Sequence, residues 1–375
     1  MKKNIGSRMS KLLVAGSLLS VMVPTVMNWD YVYAAGAVNT TASISADQLR
    51  QKLADAMQTR SESISFTYKG NVQELKSKHQ TAIDQAMKID PYINYTIKSY
   101  EFSYKGTATS ADVTVKLNYR ETKEQTAYVD NAVKSALVQI ITPGMTDHEK
   151  AKVIHDWIVK RLKYDVTLQK YTAYDGLSTG STVCQGYALL AYKMLNQVGI
   201  TNQIIEGRAG GQLHAWNLVQ LDGKWYHMDT TWDDPTPDRP NEVSTAYYML
   251  TDAEMRQDHT WTKQYPAASV SYRNTLNGLI TQGGAASKAY KQLYQALEYN
   301  LAQNENTLST ANDIKTLASK AMKSGSSSLL FVYKGNENKL KQDLQVLYKL
   351  GIKSVSYKVS DLKGAGGLRV ELSWT

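Results

Sequence analysis

The stretch Gln212-Leu213-His214-Ala215-Trp216-Asn217-Leu218-Val219-Gln220-Leu221-Asp222-Gly223-Lys224-Trp225-Tyr226-His227-Met228-Asp229 reads as two alternating strands around an Asp-Gly turn. Asp-Gly supplies the two left-handed residues of a two-residue loop, so a tight hairpin is expected. With Leu221 opposite Lys224, Trp216 faces Asp229 and His214 sits on the neighbouring diagonal, all on one sheet face. Diagonal neighbours stand roughly 7–8 Å apart at the backbone, a span that an imidazole-to-carboxylate hydrogen bond bridges. His227 has the same parity but lies nearer the turn, opposite Leu218. His214 is therefore the histidine expected to meet Asp229 at the open end of the hairpin.

Upstream of the hairpin, Thr182-Val183-Cys184-Gln185-Gly186-Tyr187-Ala188 carries the single cysteine of the chain, which has no partner for an internal disulfide. Ser181 and Thr182 read as N-cap residues, and a helix from Tyr187 to Val198 is stopped by Gly199. Cys184 then lies in the first turn, where unpaired amides and the helix dipole stabilise a thiolate and hold an oxyanion. The plain alternative is a buried cysteine packing as a small hydrophobe. A histidine and a carboxylate on the following hairpin favour the nucleophile.

An earlier helix opens with the capping box Thr146-Asp147-His148-Glu149 and buries Val153, Ile154, Trp157, Ile158 and Leu162. His155 and Asp156 within it read as core or surface groups. The acidic run Asp233, Asp234 and Asp238 reads as a solvated turn around Pro235 and Pro237 rather than a cation site.

Thr182 to Ala188, His214-Ala215-Trp216-Asn217, and Trp225-Tyr226-His227-Met228-Asp229-Thr230-Thr231-Trp232-Asp233 together resemble the transglutaminase-like core of the papain-like superfamily. His155-Asp156-Trp157-Ile158 with Tyr164-Asp165, Tyr247-Tyr248-Met249-Leu250 and Asp258-His259-Thr260-Trp261 further resemble bacterial secreted members. The resemblance covers roughly residues 125 to 270. It implies an α+β fold in which a helix bearing the cysteine packs on an antiparallel sheet bearing histidine and aspartate. It implies Cys184 as nucleophile, Asp229 as the group that orients His214, and His214 as base and then acid. Gln185 and Trp216 are candidate substrate or oxyanion contacts. No metal or cofactor is expected; the calcium-binding loops of the animal enzymes cannot be placed on this chain, so the resemblance does not carry calcium dependence over.

The flanks repeat one another in sequence. A shift of 265 positions aligns Phe66-Thr67-Tyr68-Lys69-Gly70-Asn71 with Phe331-Val332-Tyr333-Lys334-Gly335-Asn336, and seven of eleven positions from 66 match. Each copy reads as helix, strand, helix, strand, strand, the first helix opening with the capping box Ser45 to Gln48. The expected organisation is a leader at 1–34, a first α/β module at 45–120, a catalytic core at 125–270, a helical linker at 271–307 and a second module at 308–375.

Lys2, Lys3, Arg8 and Lys11, then an apolar run to Met27 and Val32-Tyr33-Ala34-Ala35, read as a secretory signal cleaved after Ala34. No stable membrane span is expected once it is removed. The chain of 375 residues carries a net charge of +9, which falls to an excess of six without the leader's four bases and Asp30. There is no paired-cysteine zinc pattern and no aromatic-basic ribonucleoprotein motif, so no nucleic-acid partner is expected. The expected function is that of a secreted or cell-envelope thiol enzyme, acting on amide or peptide bonds of protein or peptide substrates, cell-wall proteins among them. Hydrolysis is placed ahead of acyl transfer to amines, since transfer needs a site that excludes water. The competing reading is a non-catalytic envelope-binding scaffold that keeps the fold.

Overall fold

The computed structural model describes residues 26–27, 31–33, 44–234, 242–302, 307–362 and 367–375. Most of the expected leader, its cleavage point, and Asp238 with Pro235 and Pro237 lie outside the described residues.

The hairpin forms as its sequence requires. Strands Gln212–Leu221 and Lys224–Met228 pair with Leu221 opposite Lys224 and Leu218 opposite His227. Asp222 and Gly223 both take positive φ, 49° and 74°, as a two-residue loop with the right twist demands. The hairpin sits in a five-stranded antiparallel sheet ordered Tyr248–Leu250, Lys224–Met228, Gln212–Leu221, Asn202–Ala209, His259–Thr260. Gln212–Leu221 is its middle strand and is covered on both faces. One cover is the helix Cys184–Gln197, whose Ala188, Leu189, Leu190, Ala191, Met194 and Leu195 are all buried. Strong helix formers that are apolar on every side belong inside a core. Asn217 Nδ2 donates to the Ala188 carbonyl at 3.1 Å, tying this helix to the strand that carries His214.

The helix Asp147–Arg161 opens with the expected Thr146 capping box. Its fully buried stripe is Ala151, Ile154, His155, Ile158 and Val159, with Val153 and Trp157 only half-buried. Residues 271–307, expected as a linker, are instead part of the central layer. Helices Tyr272–Gln282 and Ser287–Ala296 place Tyr272, Leu276, Leu293 and Leu297 in the same hydrophobic cluster as the Cys184–Gln197 helix. The second of these stops at Ala296 rather than continuing, and Glu298 turns to positive φ.

Two smaller α/β units flank this layer, each with its own core. In the first, strand Ser110–Tyr119 lies between Ile97–Gly106 and Ser63–Lys69, with helices Ala46–Gln58 and Leu75–Met87 alongside. In the second, Gly367–Trp374 lies between Val355–Leu362 and Ser328–Tyr333, with helices Ala311–Lys323 and Glu337–Asp343. The last strand is central and antiparallel to both neighbours in each unit. They differ in where further short strands add. Val26–Met27 and Tyr31–Tyr33 pair parallel to Ile97–Gly106 in the first unit, whereas Thr307–Leu308 pairs parallel to Ser328–Tyr333 in the second.

Candidate active site

Cys184 is the first residue of its helix, and the N-cap is Val183 rather than Ser181 or Thr182. The two polar residues are used differently. Ser181–Thr182 forms a short parallel pair with Lys163–Tyr164, and Thr182 Oγ1 donates to the Lys170 carbonyl at 3.0 Å. Without a side-chain cap, the first backbone N–H groups of the helix are left unspent. Among the described residues no acceptor is bonded to the Cys184 or Gln185 amide, while those of Gly186 and Tyr187 turn back to the Val183 carbonyl. Gly186 permits this start. A Cβ there would stand 2.0 Å from Thr182 Oγ1 and 2.8 Å from the Thr172 carbonyl.

Across from it, His214 Nε2 meets Asp229 Oδ2 at 2.7 Å. A carboxylate only accepts, so Nε2 carries the proton and Nδ1 is the nitrogen left over, while Cys184 is near enough to act on the charge of the ring. Asp229 Oδ1 accepts the backbone N–H groups of Thr231 and Trp232 at 3.0 and 3.1 Å, which fixes the carboxylate. All three groups are buried: Cys184 is 2% exposed, His214 5% and Asp229 0%. The structure thus brings together the three residues picked out in the sequence.

Burial opposes a charge on His214, but Asp229 and Cys184 outweigh it and push the imidazole up to about 10. Asp229 is likewise opposed by burial and held well below the usual carboxylate range by His214 and His259. The arrangement favours a protonated imidazole at neutral pH.

The other candidates are engaged elsewhere. Trp216 stacks on His214 with ring centroids 5.8 Å apart and planes 21° apart, and its Nε1–H is given to His227 Nδ1 at 3.0 Å. Room for the indole comes from Gly207 on the adjacent strand, where a Cβ would stand 2.7 Å from the ring. Gln185 Nε2 donates to the Tyr95 carbonyl at 3.0 Å. The single N–H of Trp216 is thereby spent and Gln185 has one of its two engaged, whereas the backbone amides at the helix start are unspent. His227 does not reach Asp229. It accepts from Trp216, faces Asp252 at 2.8 Å, and burial lowers its pKa to about 4. His155 is fully buried between Asp156 and Asp233 at 2.8 and 3.0 Å.

Asp233 and Asp234 are not a solvated turn, as the prolines suggested. Asp233 is 0% exposed and Asp234 3%; they accept from the Tyr247 amide and from the Tyr187 hydroxyl at 2.9 and 2.5 Å, respectively. They tie the loop after Asp229 to the two helices.

Sequence reasoning gave no role to three residues beside the site. His259 Nε2 donates to Asp229 Oδ2 at 3.0 Å. Tyr95, from the first flanking unit, donates to Glu206 Oε1 at 2.8 Å. Tyr164 pairs in register with Thr182, and its pKa is raised by burial and then by Cys184. His259 and Tyr164 stood in segments quoted for the resemblance; Tyr95 is distant in sequence and carries no signal there.

The donor atoms of His214, Asp229 and His259 lie within 4.8 Å of one another, the spacing of a metal-binding group. A tetrahedral ion with ligands at about 2.0–2.1 Å holds its donors about 3.3 Å apart. Here both imidazole nitrogens sit at hydrogen-bonding distance, 2.7 and 3.0 Å, from one carboxylate oxygen. The group is a hydrogen-bonded chain.

Residues 134–230 match the model of the transglutaminase-like superfamily, a span that holds Cys184, His214 and Asp229. Kyphoscoliosis peptidase from Mus musculus is 29% identical over 145 residues, covering 32% of this chain and 22% of that protein. Its Homo sapiens counterpart is 30% identical over 137 residues, covering 31% and 21%. The chain thus spans about a fifth of the length of these relatives. A solved structure described as a TGase is 14% identical, with a TM-score of 0.27, covering 38% of this chain and 53% of that one. The region around the hairpin is a transglutaminase-like domain.

Proposed function

We propose that this chain is a thiol enzyme that cleaves amide or peptide bonds of protein substrates through Cys184, His214 and Asp229, and that it works outside the cytoplasm. The observation that carries the reading is the ordered chain from Asp229 through His214 to a cysteine at an uncapped helix start. Cys184 Sγ attacks the carbonyl carbon, and the negative oxygen settles against the amides of Cys184 and Gln185. The imidazolium Nδ1–H protonates the departing amine as the C–N bond breaks, leaving a thioester. His214 then takes a proton from water, which attacks the thioester and releases the acid. An amine in place of water gives transfer, and hydrolysis is the default because it needs no constructed acceptor channel. Residues 1–34 supply the export signal. The flanking units, with like strand pairing, are read as copies of one supporting module. The name of the relatives, a peptidase, agrees with hydrolysis.

The test is the rate of Cys184 alkylation against pH. Alkylation fast at neutral pH, continuing to rise little until His214 loses its proton near 10, and slowed in His214→Ala, is the expected result. An alkylation profile like that of a simple thiol, with a midpoint of about 8.5 and no response to His214→Ala, would remove the triad. A screen of peptide cleavage against amine incorporation then decides the acceptor.

A further inference from the structure

Asp229 Oδ2 accepts two imidazole N–H groups, not one: His214 at 2.7 Å and His259 at 3.0 Å. Oδ1 is occupied by two backbone amides. A triad needs only the first bond, so the second calls for an explanation. His259 is 0% exposed and pressed by aromatic rings on several sides, with Trp232 at 4.5 Å, Trp216 at 5.1 Å and Tyr247 at 5.4 Å between centroids. Its other nitrogen, Nδ1, meets Asp258 Oδ1 at 2.6 Å, and Asp258 Oδ2 accepts the Tyr247 hydroxyl at 2.6 Å. Both ring nitrogens therefore face carboxylate oxygens. Asp229 accepts the Nε2–H and Asp258 holds Nδ1, so the ring is gripped at both ends. The titratable groups around it are Asp229, Asp258, Tyr247, His214 at 5.6 Å between centroids, and His227, whose charge His259 opposes.

Resting on the triad reading above, we infer that His259 is a positioning residue of the same site, so that the working unit is Cys184, His214, Asp229 and His259. Acting through Asp229, it holds Oδ2 at the point where His214 needs an acceptor, which keeps the imidazole aimed at the thiol. The edge strand His259–Thr260 serves this placement, paired with Arg208 and Ala209 on the strand beside the one bearing His214.

The experiment uses the full chain and iodoacetamide, following the rate of Cys184 alkylation from neutral to alkaline pH in wild type, His214→Ala, His259→Gln and His259→Leu. A glutamine still offers Asp229 an N–H; leucine offers none. His259→Leu is expected to slow neutral alkylation on the order of tenfold, the scale of losing an outer hydrogen bond that orients an active-site histidine. His259→Gln is expected to keep most of the rate, a rescue that packing alone would not give, because glutamine restores the N–H but fills the aromatic surround no better than leucine. If His214→Ala alkylates like wild type, the triad fails and the positioning role with it. If His214→Ala is slow while both His259 variants keep the wild-type rate, or both lose it equally, the positioning role alone is overturned. Should His259→Leu not fold, His259→Phe, which keeps a ring and offers no N–H, takes its place: a wild-type rate there overturns the inference.

Discussion

Asp229 illustrates how much one side chain can be asked to do when it is fully buried. Four N–H donors converge on its two oxygens, and its ionised form is what the folded protein stabilises. A depressed carboxylate contributes stability above its unfolded value of about 3.9 and loses it as the pH falls. His214 has the opposite sign. Its raised pKa contributes fully below the unfolded value of about 6.5 and is lost as the pH climbs through about 10. Both contributions are complete only between about pH 4 and 6.5. Urea unfolding of wild type against His214→Gln across pH should show the largest difference in that window. A difference that grows steadily toward pH 9 would contradict the assigned charges. At this scale the sequence was informative where residue chemistry is scarce. A lone cysteine, a histidine and an aspartate at matched parity stand out, whereas His259 looks like any other histidine until the sheet brings its strand alongside.

Elements differed in legibility for local reasons. The hairpin could be read in register because Asp222-Gly223 leaves few other turns, and register then places every side chain on its face. The start of the cysteine helix was misplaced by its polar neighbours: Ser181 and Thr182 look like caps but are drawn into a pairing with Lys163 and Tyr164, eighteen residues upstream in the chain. The helices after residue 271 read as a linker because their apolar stripes do not say which core they join. Tyr272 and Leu276 settle that by packing with the catalytic layer. Gly186 gives a direct test of the helix start. Gly186→Ala forces a Cβ into Thr182 and is expected to cost about 1–3 kcal/mol in denaturant unfolding, as overpacking does, together with slower alkylation of Cys184. Unchanged stability and reactivity would mean that the turn at Thr182 yields freely and does not position the thiol.

Among the described residues the buried apolar side chains form four clusters, and the first flanking unit reaches the site. Its short helix Pro91–Thr96 buries Tyr92 in the central core and packs Tyr95 against it. The Tyr95 carbonyl takes Gln185 beside the nucleophile, and its hydroxyl takes Glu206, opposite Ala215 on the strand that carries His214. No motif announced this, because a contact between units depends on how they dock rather than on spacing within either. The bridge has a consequence for the lifetime of the protein. A thiolate is the form that peroxide attacks, and past the sulfenic stage the damage is not repaired by exchange with another thiol. In an oxidising medium a nucleophile held ready beside an open cleft would be consumed between encounters with substrate. Cys184 is only 2% exposed, and the Tyr95 bridge between Gln185 and Glu206 ties down the chain beside it. Tyr95→Phe, which keeps the ring and loses the bond to Glu206, is expected to hasten inactivation by dilute hydrogen peroxide about threefold or more, a loosening of about 0.7 kcal/mol. Equal rates of peroxide inactivation would place the shield elsewhere. On this view the flanking unit acts as a preservative: it sets how long an unused enzyme remains usable.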